Sequence, residues 1–332
     1  MTLLLARYAD CIYWLARYVE RAENLARILD VQESFARDSS GSHDWGAILD
    51  INADRARFVA LGREVSAAEV LYFYVADRAN PTSIAFDIHA ARENARTIRP
   101  LITTEMWAQL NVFYNRVLAL KPEDLREERL SRVCAMIKSG CDEHAGITAG
   151  TLYRDEAYRF WRLGGAIECA DQTTRLLDAK YLAFRRRREA EGSAVDLSYW
   201  TALLRSVGGF QAFRRRHPRE LTPEQVALFV LGDPSFPRSV AHNLIVAETA
   251  LTELRRHFNL RAAAAALEHL DGIRDDLALD RLRAIVAQGG MHDFNDWLQR
   301  SLAMLDRLLG EAFFGREPPP GQAPAQPQLQ RG

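Results

Sequence analysis

Arg17, Glu20, Arg21, Glu23, Asn24 and Arg27 crowd the segment "RYVERAENLAR" (17–27), with Glu168 and Arg175 in a similar setting further on. These types suit two chemistries. A glutamate lifted by burial serves as a general base, which makes Glu20 and Glu168 the candidate catalytic groups. A guanidinium grips a carboxylate or phosphate through paired N–H donors. The plainest alternative is a wet helix face, on which Glu23 and Arg27 form an i,i+4 pair contributing a few tenths of a kcal/mol. Glu20 and Arg27, seven residues apart, are separated by about 10.5 Å of helix and do not pair with each other. Each needs a partner on a neighbouring helix, on another part of the chain, or on a ligand. The structural version is a buried ion-pair network. The functional version is a polar cleft in which Arg17 and Arg27 hold an anionic ligand.

The elements that must carry these residues are helices. No proline precedes Pro81, and none lies between Pro122 and Pro218, which leaves room for long helices. Over 12–30 the apolar period is near 3.6. Trp14, Leu15, Tyr18, Ala22, Leu25, Ala26 and Leu29 form the expected buried stripe, and Tyr13, Arg17, Glu20, Asn24 and Arg27 a polar face roughly opposite. "VLYFYVA" (70–76) looks strand-prone, but Ser66 ahead of "AAEV" reads as a helix N-cap. Asn80 before Pro81 reads as another, with Ser83 in the first turn that follows. "ARENARTIRP" (91–100) sets Arg92, Arg96 and Arg99 along a second polar stripe.

The chain also resembles itself. "YWLARYVERAENLARILD" (13–30) aligns with "WRLGGAIECADQTTRLLD" (161–178), pairing Glu20 with Glu168, Glu23 with Asp171, Asn24 with Gln172 and Arg27 with Arg175. Further on, Trp45 meets Trp200, Phe58 meets Phe213, Ser66 meets Thr222 and Val70 meets Val226. Asp77, Pro81 and Ser83 then meet Asp233, Pro237 and Ser239, while the offset drifts only from 148 to 156. Ordered matches of this kind indicate a tandem duplication. The expected architecture is all-α: two duplicated helical bundles over 1–150 and 151–314, packed with pseudo-two-fold symmetry. The Pro/Gln-rich segment 315–332 is expected to be a disordered tail.

Composition narrows the function classes. A net charge of −1 gives no bias toward nucleic acid or an anionic membrane. "FRRRRE" (184–189) and "FRRRHPR" (213–219) read as solvated helix ends or loops. Four scattered cysteines without a CxxC fit a reducing cytoplasm, and no run is long enough to span a membrane. Cys141 and His144 have helical i,i+3 spacing but lack further ligands, so no metal is expected. No phosphate-binding glycine loop, HExxH or GxSxG motif occurs, and no cofactor is expected.

"YADCIYWLARYVERAENLARILD", "NPTSIAFDIHAARENARTIRPLITTEMWAQLN", "TLYRDEAYRFWRLGGAIECADQTTRLLD" and "FPRSV" resemble the Alpha-E domain family over essentially the whole chain except the tail. The resemblance implies an all-helical cytoplasmic protein found beside, or fused to, circularly permuted ATP-grasp proteins. The implied role is partner or co-catalytic subunit of an ATP-grasp-type amide ligase in peptide synthesis or modification, with a peptide or amino acid as substrate. The motif residues carried over include Arg17, Glu20, Arg21, Glu23, Asn24, Asn80, Pro81, Ser83, Arg92, Glu93, Asn94, Arg96, Arg99, Glu105, Trp107 and Asn111. Similar sequences carry arginines around the second glutamate, where this chain has Gly165 and Cys169. That departure favours the first copy as the site. The remaining readings are a free-standing enzyme on peptide or amino-acyl substrates and a purely structural helical scaffold.

Overall fold

The computed structural model describes residues 4–38, 45–187, 194–219, 221–258 and 261–316. Among them are fifteen α-helices and no strands. They are α1 Ala6–Asp38, α2 Gly46–Ile51, α3 Arg55–Ala60, α4 Ala67–Val75, α5 Ile84–Thr97, α6 Thr104–Leu118, α7 Glu127–Thr151, α8 Glu156–Arg187, α9 Ala194–Ser206, α10 Phe210–Arg216, α11 Pro223–Gly232, α12 Val240–His257, α13 Ala264–Asp276, α14 Leu279–Ala287 and α15 Met291–Phe313. No described helix is long and apolar enough to cross a membrane.

The two longest helices, α1 and α8, lie side by side at the centre. They run parallel: Leu4 N–H donates to Glu156 Oε2, and Arg17 Nε to Glu168 Oε2, at 2.7 and 2.8 Å. Gly164 permits this approach, because a Cβ there would sit 2.2 Å from the carbonyl oxygen of Tyr13. Around the pair the packing is reciprocal. α5 and α7 lie on α1, α12 and α15 lie on α8, α2 crosses to α8, and α9 crosses to α1. One continuous apolar core therefore draws on both halves of the chain, rather than one core per bundle. The break between α7 and α8 falls at residues 152–155.

Residues matched by the repeat do matching work. Trp45 and Trp200, Phe58 and Phe213, and Val70 and Val226 are all buried. Ser66 accepts from Glu69 N–H and Thr222 from Gln225 N–H, each capping its helix. Ser83 accepts from Phe86 N–H while its hydroxyl donates to the Asp77 carbonyl, and Ser239 does the same with His242 and Asp233. The carboxylates of Asp77 and Asp233 each accept from the backbone N–H two residues on. The serines, not Asn80, are thus the N-caps. Asn80 instead closes a turn, accepting from Thr82 N–H and donating to the Phe73 carbonyl. Shared core positions and shared caps support the proposal of a pseudo-two-fold duplication.

Two expectations need correction. The helix α1 has no single buried stripe: Tyr13, Arg17, Glu23 and Asn24 are buried along with Leu15, Leu25 and Leu29, whereas Trp14 and Tyr18 are only partly covered. The helix is central, contacted on several sides, so a two-faced wheel does not describe it. The folded body also extends past residue 314, since Arg316 pairs with Asp10 at 2.6 Å and with Asp306 at 3.4 Å. The expected tail over 317–332 and the side chains of "FRRRRE" lie outside the described residues. Arg214, Arg215 and Arg216 are exposed at the C-terminal end of α10.

A candidate functional site between the central helices

Glu168, on α8, is fully buried, yet it accepts four hydrogen bonds. Arg17 Nε donates to Oε2 at 2.8 Å; Arg21 donates through Nε to Oε1 at 2.7 Å and through Nη2 to Oε2 at 3.0 Å; Gln172 Nε2 donates to Oε1 at 3.0 Å. Burial would raise the carboxyl's pKa, but Arg21 and Arg17 hold it far below the ordinary carboxylate range. Arg17 also reaches Asp306 at 2.5 Å and the Tyr13 hydroxyl at 3.1 Å, and Tyr13 donates to Asp306 at 2.7 Å. Its guanidinium lies against the Trp14 ring, 4.6 Å from the centroid. Arg21 faces Asp87 at 3.9 Å. Asp87 is fully buried and neither carboxyl oxygen has a hydrogen-bond partner, so burial pushes its pKa well up.

Glu20 occupies the matching place on α1 and meets a different set. Arg238, in the "FPRSV" turn just before the Ser239 cap of α12, donates to Glu20 at 2.7 Å, to Glu23 at 3.1 Å and to the Asn24 amide oxygen. Asn24 Nδ2 donates to Glu20 Oε1 at 2.9 Å, as Gln172 does to Glu168. Arg27 pairs with Glu23, and Arg175 with Asp171, each at 2.7 Å across one helical turn. Burial lifts the Glu20 carboxyl above its ordinary range, with Arg238 opposing. Each central glutamate is therefore neutralised by arginine from the opposite half of the chain.

The two environments differ where the sequence departs from its own repeat. Arg17 and Arg21 stand beside Glu168, whereas the matching positions on α8 are Gly165 and Cys169. Beside Glu20 there is a cavity of about 270 Å³ whose lining includes Glu20, His144, Trp161, Gly165, Cys169 and Arg238. A Cβ on Gly165 would meet nothing within 4 Å. Among the described residues no cluster of three or more His, Cys, Asp or Glu side chains is placed to hold a metal.

Of the residues expected from sequence, Arg17, Arg21 and Glu168 share one network, and Glu20, Asn24 and Arg27 join the next through Glu23 and Arg238. Arg175 lines a separate cavity of about 530 Å³ among α2, α8 and α9. Arg92 and Arg96 belong to another patch. Arg92 donates to Asn111 at 2.7 Å and lies over Trp107 and Tyr114, while Arg96 pairs with Glu93 at 2.6 Å in an exposed setting. Asp87, Asp306, His144 and Arg238 join these networks and the cavity without belonging to the site residues expected from sequence. Only Arg238 carries a signal, as the basic residue inside a repeated D-x3-P-x-S element.

Chemically, Glu168 is a poor general base, because a carboxylate so strongly stabilised takes up no proton near neutrality. Glu20 is better placed, being lifted in pKa and open to a cavity.

No solved structure matches the chain. Uncharacterized proteins of Mycobacterium bovis (strain ATCC BAA-935 / AF2122/97) and Mycobacterium tuberculosis (strain CDC 1551 / Oshkosh) are each 25% identical over 265 residues, 72% of this chain. One from M. tuberculosis strain ATCC 25618 / H37Rv is 24% identical over the same length. The match spans only 28% of each relative's own length. A family model described as a predicted alpha-helical domain with a conserved ER motif matches residues 4–314. The chain's two Glu-Arg dipeptides are Glu20–Arg21 and Glu128–Arg129, and the first lies in the central network, with Glu20 bound to Arg238 and Arg21 to Glu168. The chain belongs to the Alpha-E family.

Proposed function

We propose that this chain is the helical partner, or co-catalytic subunit, of a circularly permuted ATP-grasp-type amide ligase acting in peptide synthesis or modification. The observation that carries the reading is the length of the relatives. In each, the matched region is 28% of the polypeptide, so this fold works there as one part of a larger protein. Two features of the site support it. The charged residues around Glu168 are neutralised internally, leaving no base there for independent catalysis. The stretch from α3 to α4 also exposes Val59, Leu61, Val65 and Tyr72, apolar surface of the kind a protein partner covers.

The test is co-expression with the ATP-grasp protein encoded nearest to this chain, followed by co-purification and an ATP-dependent amide-formation assay on the pair and on each component. A stable complex with turnover above that of the ligase alone is expected. Failure to associate at about 10 μM, a concentration giving little weight to encounters weaker than roughly 7 kcal/mol, together with full activity of the ligase alone, would overturn the reading. The cavity beside Glu20 favours one second reading, a free-standing enzyme using Glu20 as base. Turnover by the isolated chain distinguishes it.

A further inference from the structure

One helix of the second half has only a stub for a counterpart in the first. After α5 the chain runs through α6 and a single 3₁₀ turn, Pro122–Leu125, to α7; after α12 it runs through α13 and the nine-residue helix α14 to α15. The turn lies against α4, and α14 lies against α11, the helix that the repeat pairs with α4. There α14 sets Leu282 on the end of α11, so close that a Cβ on Gly232 would lie 3.0 Å from a Leu282 methyl. One 3₁₀ turn covers less of its neighbour than a helix of more than two turns. Beside α4 a groove of about 480 Å³ is left, lined by Ala68, Leu71 and Tyr72 of α4 and by Leu125, Arg126 and Glu128.

Exposure follows the same difference. Tyr72 is 43% exposed, whereas its match Leu228 is half-buried and shares a cavity with Leu279 and Arg283 of α14. Arg63, in the turn before α4, lies over the Tyr72 ring at 5.2 Å and pairs with Asp77. The same turn carries Leu61 and Val65, 56% and 47% exposed. Their types run against that exposure. Aligned on Phe58 and Phe213, Val59 and Leu61 stand where α10 has the exposed Arg214 and Arg216. The half that carries α14 is charged at these positions, and the half without it presents valine and leucine to water. Clustered apolar side chains of this kind mark an interface, whereas single ones do not. Around the groove and its flanking turn Glu64, Glu69, Glu127 and Glu128 outnumber Arg63 and Arg126, so the surface favours a cationic occupant.

We propose that this groove takes an α-helix of a protein partner, apolar on one face and basic along its edges, in the place that α14 fills in the second half. This deepens the reading of the chain as a helical partner, and rests on it only for a protein to supply the helix.

The probe is a peptide of residues 277–290, which carries α14 with Arg281 and Arg283. It is held helical by a covalent link on its outer face, because a free segment this short is a marginal helix. Its binding to the full chain is followed by fluorescence anisotropy, beside a control peptide in which both arginines are glutamate. The basic peptide is expected to bind with a Kd below about 100 μM, and charge reversal to weaken it about tenfold or more. Tyr72→Asp and Leu61→Arg, the latter installing the residue type of the second half, replace exposed side chains. Both are expected to stay folded by circular dichroism and to weaken binding about tenfold or more. No saturable binding up to roughly 1 mM, equal binding of the two peptides, or binding that both variants leave unchanged overturns the proposal. So does sedimentation showing that the chain pairs with itself through this surface, a second copy then being the occupant. A ligase complex that forms equally well with Tyr72→Asp also overturns the docking site while leaving the partnership itself standing.

Discussion

Replacing Glu168 tests the central network most directly. In Glu168→Ala, Arg21 loses both its hydrogen bonds to the carboxylate and keeps only Asp87, at 3.9 Å, and the faces of Trp14 and Tyr18. Arg17 retains Asp306 and Tyr13, so the stranded charge is chiefly that of Arg21. Removing one partner of a buried ion pair costs about 3–5 kcal/mol. With an unfolding entropy of roughly 2 cal/mol/K per residue, a 332-residue chain has about 0.7 kcal/mol/K at its midpoint, so 4 kcal/mol lowers the Tm by about 6 °C. The assay is urea unfolding and calorimetry of Glu168→Ala, Arg21→Met and the double variant. The double variant removes both the stranded charge and its partner, so it should be less destabilised than the sum of the singles by about 2 kcal/mol or more. A loss below about 1 kcal/mol in Glu168→Ala, with additive singles, would show that water reaches these charges and would refute the reasoning.

Gly164→Ala should gain about 1 kcal/mol of helix propensity yet lose more by driving a Cβ against the Tyr13 carbonyl, for a net loss of about 1–3 kcal/mol in urea unfolding. Asp87→Asn should stabilise the chain near neutral pH: its raised folded pKa means that ionising the unfolded aspartate erodes stability above the ordinary carboxylate range, and the benefit in calorimetry should shrink toward pH 4. A destabilised Asn variant at pH 7 would mean that Asp87 is an ionised partner of Arg21. Burial lowers the His144 pKa to about 4, so the unfolded chain takes up its proton first as pH falls from about 6.5. Stability complete above that pH is lost toward pH 4 by roughly 3 kcal/mol, and His144→Leu should remove that part of the pH dependence in denaturant titrations.

The helices were legible in the sequence, and a duplication could be proposed from it, because both readings rest on local chemistry. Proline gaps, serine caps and an ordered alignment are properties of contiguous residues, and the matched positions turned out to perform matched tasks. The failures share one cause. A helical wheel allows α1 one dry side, but a helix wedged between α5, α7, α8 and α9 is dry almost all round, which places Arg17 and Glu23 indoors. Asp306 lies near the other end of the chain from Arg17, so no local pattern announces their pairing. Asn80 before Pro81 has the pattern of a cap because Pro81 suits a first helical position, whereas a cap is defined by which side chain accepts the N–H group, and that is Ser83.

The Glu20–Arg21 dipeptide gains its meaning from position. Consecutive helical residues point roughly 100° apart, so on a peripheral helix one of them would face water. On central α1 both face protein: Glu20 reaches Arg238 in the turn that leads into α12, and Arg21 reaches Glu168 on α8. Two adjacent residues of opposite charge thus join one helix to two separate segments of the other half. A like-charged dipeptide could not do so without leaving one partner unmatched. The same logic explains why the second copy need not repeat it. Once Arg238 neutralises Glu20, arginines at 165 and 169 are no longer required for charge balance, and the space they would fill remains as the cavity beside Glu20.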